Sequence, residues 1–181
     1  DKDTTGLIVV AKTDEAHQSL VHQFASRLIQ RTYTALIWGS PAKDAFQVDA
    51  PIGRSRRNRK KMAVVNTGGK AAITNFKVIE RFGTTATLVG CRLETGRTHQ
   101  IRVHTCHIGS PIIGDPVYGS GKMREGINDE LRTNIKLLRR QALHAGKLSF
   151  KHPRTKEVCC FTSQLPDDMQ SLTELFKGNL I

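Results

Sequence analysis

Between Thr87 and Ile108 the side-chain period changes from two to between three and four within a few residues, and this junction restricts the folds open to the chain. Thr87, Val89, Cys91 and Leu93 alternate on one side of a strand that runs into Glu94-Thr95-Gly96. Gly96 suits the turn because glycine tolerates positive φ. From Arg97 onward Ile101, Thr105 and Ile108 fall on one helical stripe, and Gly109 followed by Pro111 ends the helix. Arg97 and Arg102 lie five residues apart, so their side chains point about 140° apart and serve different targets. A cation in the first turn of a helix opposes the dipole preference, so Arg97 has an outside reason to be there unless both arginines are simply solvated.

The flanking segments read as further strands and helices. Leu7–Val10 is a short apolar run expected as a buried strand, and Ala16, Leu20, Phe24 and Leu28 mark an amphipathic helix over 14–30. Arg31–Trp38 alternates as a strand, with Tyr33, Ala35 and Ile37 on one side. Met62–Asn66 and Ala71–Phe82 read as two strands joined by a Gly68-Gly69 hairpin turn, and Thr84–Leu93 leads into the junction helix. Residues 121–134 read as an irregular surface insertion. Arg140–Phe150 and Lys156–Ser163 form a hairpin around 152–155, and Met169, Leu172, Leu175 and Phe176 mark a terminal helix. Strands following one another through short links, with helices interspersed, imply an α+β fold around a mainly antiparallel, mixed sheet with flanking helices, in one domain.

Charge bears on partners. The chain has 28 basic and 16 acidic residues in 181, a net charge of +12 and a pI near 10.0, which favours a polyanionic partner. Six of the eight residues from Arg54 to Lys61 are basic: Arg54, Arg56, Arg57, Arg59, Lys60 and Lys61. A solvated loop is the plain reading; with this net charge, contact with RNA phosphates is the better one. Lys136, Arg139 and Arg140 are further candidates. No run of about 18 apolar residues offers a membrane span. Cys91, Cys106, Cys159 and Cys160 lack metal-site spacing and read as thiols of a reducing compartment, the cytoplasm. His99, His104, His107 and Cys106 lack an acidic partner and an HExxH pattern, so no metal site is expected; a histidine nuclease lacks a second motif.

Four separated stretches carry a resemblance. DKDTTGLIVVAK at 1–12, RTYTALIWG at 31–39, TGRTHQIRVH at 95–104, and GDPVYG with QALHAGKLSFKHPRTKE at 114–119 and 141–157 resemble, in order, the motifs of the RluA-type pseudouridine synthases. The likeness is nearest to the type D enzymes of the large ribosomal subunit. The family's first motif has His-Arg-Leu before the aspartate that stands here as Asp1. The sequence is therefore expected to be a piece of a longer protein, lacking upstream strands and an S4-like RNA-binding module.

The resemblance implies a catalytic site. Asp1 corresponds to the catalytic aspartate, Tyr33 to the tyrosine that stacks on uracil, and Arg102 to the arginine paired with the aspartate. Leu143 and Ile101 are expected as apolar pocket walls, and Arg97 as a brace for the Asp1 turn or a phosphate contact. Isomerising uridine breaks the N1–C1′ bond and rejoins the base through C5, with no net oxidation and no imported group, so no cofactor is expected. The implied partner is large-subunit ribosomal RNA, bound by a monomer. Two alternatives stay open: the same chemistry on transfer RNA, and a basic RNA-binding or ribosome-assembly module without catalysis.

Overall fold

The computed structural model describes residues 1–119 and 125–179. In chain order the elements are β1 (Thr5–Gly6), α1 (Asp14–Ala25), β2 (Gln30–Trp38), β3 (Ala45–Asp49), β4 (Ile52–Arg54), β5 (Met62–Val64), β6 (Ile73–Phe82), β7 (Ala86–Leu93), α2 (Gln100–His107), α3 (Asp129–Leu138), β8 (Leu143–Lys151), β9 (Val158–Thr162) and α4 (Asp167–Gly178). A seven-stranded sheet has the order β1-β8-β2-β7-β6-β3, with β9 also on β8; β4 and β5 form a separate hairpin. All pairings in the large sheet are antiparallel except β1 with β8. The expected α+β architecture around a mainly antiparallel mixed sheet is what the chain adopts.

The core forms where α3 and α4 cover the sheet. Phe176 of α4 stacks on Phe82 at 5.6 Å and meets Trp38 edge-on at 6.2 Å, with Leu131, Ile135, Met169 and Leu172 buried in the same cluster. A smaller cluster of Leu20, Ile29 and Leu148 seats α1, and another of Ile52, Ala72, Val103 and Tyr118 joins α2 to the β4–β5 hairpin. Among the described residues no helix is long and apolar enough to cross a membrane.

Four expectations are corrected. The strand expected at Leu7–Val10 stops at Gly6, and Ile8 is 84% exposed. The cause is competition for an edge. From Lys147 onward the outer edge of β8 pairs with β9, so the chain after Leu7, whose amide donates to Ala145 O, has no partner to follow. Met62–Asn66 and Ala71–Phe82 are not a hairpin: β6 has β3 and β7 on its two edges, so β5 pairs with β4 instead. The basic run Arg54–Lys61 therefore spans the tip of the β4–β5 hairpin. The insertion expected over 121–134 contains the start of α3, capped by the Asn128 side chain, which accepts from the Leu131 amide; residues 121–124 lie outside the described residues. Finally, α1 ends at Ala25 and α2 starts at Gln100, so Arg97 precedes that helix rather than occupying its first turn.

Candidate active site

The site is built on the turn before α2. Thr95 Oγ1 accepts from the Ile73 amide at 2.9 Å and donates to Gln100 Oε1 at 2.7 Å. Gln100, buried, also accepts from the Arg97 amide, while its Nε2 donates to Ile73 O and Thr74 Oγ1, both at 3.0 Å. One glutamine thus ties the turn to β6 and also holds the Arg97 amide of the turn. His99, the residue before α2, sits in the left-handed region at φ 56° with no side-chain cap. Gly96 has no positive φ. The close approach of Arg31 explains it instead: a Cβ at Gly96 would lie 2.8 Å from an Arg31 terminal nitrogen.

Asp1 is held from the other side of the sheet edge. The buried Gln141 donates to Lys2 O at 2.8 Å and to Thr4 Oγ1 at 2.9 Å, fixing the 1–4 turn that leads into β1. Gly6 (φ 103°) then passes so close to β8 that a Cβ would meet Ala145 O at 2.3 Å, which leaves no room for a side chain. The Asp1 side chain is 23% exposed; its carboxylate lies 3.6 Å from an Arg102 terminal nitrogen and 3.9 Å from His99 Nε2.

Arg102 has a stronger partner than expected. Its Nε and Nη2 make a bidentate pair with Asp115 at 2.7 and 2.9 Å, leaving the remaining nitrogen for Asp1. Its Cζ sits 5.0 Å over the Tyr118 ring, and the residue is 4% exposed. Asp115 Oδ1 also accepts from the amides of Val117 and Tyr118 at 2.8 and 3.0 Å. Burial alone would raise the Asp115 carboxyl, but Arg102 and these two amides outweigh it and hold it below the ordinary carboxylate range. The correction is specific: Asp1 does not take the Arg102 fork, Asp115 does.

His99 completes the ring of contacts. Its Nδ1 lies 2.8 Å from the Tyr118 hydroxyl, which in turn accepts from the Met62 amide. Burial and then the Arg102 cation push the His99 imidazole below its ordinary value, so it is neutral near pH 7. His104 is structural: Nε2–H donates to Ala50 O at 3.0 Å, because a carbonyl only accepts, and Nδ1 takes the Thr74 hydroxyl at 2.9 Å.

Asp1, Tyr33, Ile101, Leu143, Arg97 and His99 line one cavity of about 460 Å³. Tyr33 reaches it from β2 beside a β-bulge: Thr32 pairs with Lys147 and Tyr33 with Ala145, leaving Gly146 unopposed. Burial raises the Tyr33 phenol while nearby Arg31 pulls the other way; the hydroxyl stays neutral at pH 7. Leu143 is 3% and Ile101 4% exposed, so both also belong to the core. Arg97 Nε donates to Ala71 O at 3.0 Å; because Arg97 precedes α2, the helical spacing expected to set it apart from Arg102 does not apply.

The basic candidates divide. Arg54, Arg56, Arg57, Arg59 and Lys60 are exposed; Arg54 donates to Arg59 O and Arg56 to Thr67 Oγ1, while Lys61 donates to Val117 O and so anchors the hairpin tip beside Tyr118. Lys136 and Arg139 are exposed at the end of α3. Arg140 is engaged in a bidentate pair with Asp168 at 2.9 and 2.6 Å. Sequence reasoning missed Asp115 and Arg31. The signal for Asp115 within GDPVYG is an acidic side chain two residues before an amide it can accept from, the ordinary aspartate turn.

The sequence model of the family described as RNA pseudouridylate synthase matches residues 1–107. An uncharacterized RNA pseudouridine synthase of Bacillus subtilis, YlyB, is 48% identical over 179 residues, 99% of this chain and 54% of the relative. The ribosomal large subunit pseudouridine synthase D of Nitrosomonas europaea is 49% identical over 178 residues, 98% of this chain and 50% of the relative. The chain spans about half the length of these relatives. In fold it is similar to human RNA Pseudouridylate Synthase Domain Containing 4, with a TM-score of 0.70 over 92% of this chain and 69% of that one at 23% identity. With the matching model covering more than half of its residues and these relatives aligned along nearly all of it, the chain belongs to the RNA pseudouridylate synthase family.

Proposed function

We propose that this chain is the catalytic domain of a longer RNA pseudouridine synthase that isomerises uridines in large-subunit ribosomal RNA, with Asp1 as the catalytic carboxylate. The observation that carries this is the Asp1 carboxylate on the wall of a cavity shared with Tyr33, within ion-pair range of a buried arginine. The name of the Nitrosomonas relative supports the choice of ribosomal RNA. The +12 charge fits an RNA partner, and the setting we propose is the bacterial cytoplasm.

A uridine inside a helix is out of reach, so it is flipped into the cavity at a cost of a few kcal/mol. Tyr33 offers its ring to the base, and Ile101 and Leu143 give apolar walls. Asp1 then attacks C6 of the ring or acts on the ribose at C1′; both routes need an ionised carboxylate. The Arg102 cation stands 3.6 Å from that carboxylate. Asp115 keeps Arg102 in register, so the pair at Asp1 is an orienting contact. Once the base is rejoined through C5, the C5 proton leaves to solvent and the freed N1 takes one up; Tyr33, its hydroxyl neutral, lines the cavity where this exchange occurs. Uracil is both leaving group and acceptor, and the protein supplies orientation, charge and exclusion of water. The exposed cations at the β4–β5 tip, with Arg97, Arg139 and Lys136, contact the RNA backbone. Arg140 drops out of that set because Asp168 holds it.

The test is tritium release from ribosomal RNA labelled at uridine C5, using the full-length protein. Wild type releases tritium, and Asp1→Asn loses at least about a thousandfold while still binding RNA, because a neutral amide is no nucleophile. Release unchanged by Asp1→Asn removes the assignment. Release from transfer RNA alone would move the substrate, and no release with tight binding would leave an RNA-binding module.

A further inference from the structure

A second cavity, about 360 Å³, is lined by Arg27, Arg31, Arg92 and Arg97 and shares Arg31, Leu93, Gly96 and Arg97 with the cavity that holds Asp1. Among the described residues its one lining carboxylate, Glu94, is already engaged by Asn75 at 2.7 Å and Gln47 at 3.4 Å. Arg31 stands in the common wall. Its Nε is buried and has no hydrogen-bond partner among the described residues, and no carboxylate pairs with it there. Its Cζ lies 5.1 Å over the Phe24 ring, so one face of the guanidinium is covered by an aromatic. Gly96 leaves the space that the terminal nitrogens occupy.

An unpaired cation drawn partly out of water is unfavourable unless a ligand completes it. The chemistry of the lining says which ligand. Arginines only donate, so the cluster cannot read a base edge that both donates and accepts; phosphate oxygens only accept and fit the planar fork. A nucleotide turned out about its backbone brings its own phosphates to the mouth of the base cavity. We propose that Arg31, with Arg27, Arg92 and Arg97 around it, holds a backbone phosphodiester next to the uridine being modified. This rests on the reading of the Asp1 cavity as the seat of that uridine. Arg31 is thus a binding residue whose site lies one wall away from the chemistry.

The experiment measures affinity of the full-length protein for a large-subunit ribosomal RNA transcript across potassium chloride concentrations, alongside tritium release. Arg31→Gln lowers the slope of log affinity against log salt by about one and raises KM about tenfold, with kcat within about twofold. Arg31→Lys restores the slope, since it keeps the charge, but not all of the affinity. Arg92→Gln, at an exposed position, lowers the slope in the same direction and guards against a folding defect in the Arg31 variant. An unchanged slope in both glutamine variants overturns the proposal. So does a loss in kcat with slope and KM unchanged, which would assign Arg31 to the chemical step. Absence of tritium release from wild type sinks the enzyme reading alone, because the salt slope still decides the phosphate site.

Discussion

Arg102 and Arg31 carry the same guanidinium to neighbouring parts of one site and live in opposite circumstances. Arg102 is buried, its Nε and Nη2 on Asp115 and its last nitrogen toward Asp1. Arg31 has a buried Nε without a partner and an aromatic on one face. A buried cation gripped by a bidentate internal carboxylate is fixed in place and serves geometry. A cation left open at a cavity wall is completed by something from outside. The difference separates positioning from binding using partner lists alone, and it predicts different failures for the two arginines.

The largest expected effect in this comparison falls on the partner of the closed arginine. Asp115→Asn keeps the shape of the turn but removes the charge of the fork partner, leaving the buried Arg102 with only Asp1 at 3.6 Å opposite it, which costs about 3–5 kcal/mol of stability. Denaturant unfolding at pH 7 measures it. The same pair predicts a pH dependence. Because the Asp115 carboxyl is held below its ordinary value of 3.8, the stability it contributes is fully present above that value and is lost as pH falls through its folded-state value. The acid limb of the stability curve should therefore shrink in Asp115→Asn. An Asn variant as stable as wild type, with an unaltered acid limb, would mean that Arg102 has no need of its fork partner.

Next in size is Arg102→Lys. Lysine keeps the charge but not the planar fork, so it can satisfy Asp115 or Asp1 but not both in the present geometry. Turnover falls about a hundredfold, the scale of an ångström of misplacement, while RNA affinity stays within about twofold. Single-turnover rates set against dissociation constants separate the two. Equal loss in rate and affinity would turn Arg102 into a binding residue and erase the contrast with Arg31.

How much of this was legible before the fold was known follows the same division. Asp1, Tyr33 and Arg102 stood out because each lies in a stretch whose residues resemble a family motif, and the fold does bring them to one site. The strand–turn–helix junction was readable because periodicity is local. What a strand pairs with is not local. β5 was assigned to β6 because they follow each other, but both edges of β6 are taken by β3 and β7. Leu7–Val10 was read as buried from its apolar side chains, yet β9 already holds the edge it needed. The start of α3 was masked by polar composition, although Asn128 followed by Leu131 and Ile135 is a cap and a helical stripe. Asp115 and Arg31 were missed for one reason: their meaning is in the partner, 13 residues away for Asp115 and absent from the described chain for Arg31.

Gly96→Ala carries the smallest effect and gives the sharpest separation of binding from stability. Its backbone is outside the left-handed region, so alanine meets no conformational strain there, and removing a glycine from the unfolded chain stabilises by about 0.4–1 kcal/mol. The added Cβ would stand 2.8 Å from one Arg31 terminal nitrogen and 3.1 Å from the other, atoms at the free end of a flexible side chain that give way. Arg31 is therefore displaced while the fold is not. The two readouts are expected to move in opposite directions: Tm rises slightly, and RNA affinity falls a few-fold (about threefold), with the salt slope reduced by less than the roughly one unit expected for Arg31→Gln. Arg102, on the other side of the turn, keeps its pair with Asp115, so single-turnover kcat at saturating RNA stays near wild type. A fall in kcat at unchanged affinity would show that the turn, rather than Arg31, transmits the change, and the two arginines would then form one unit instead of two.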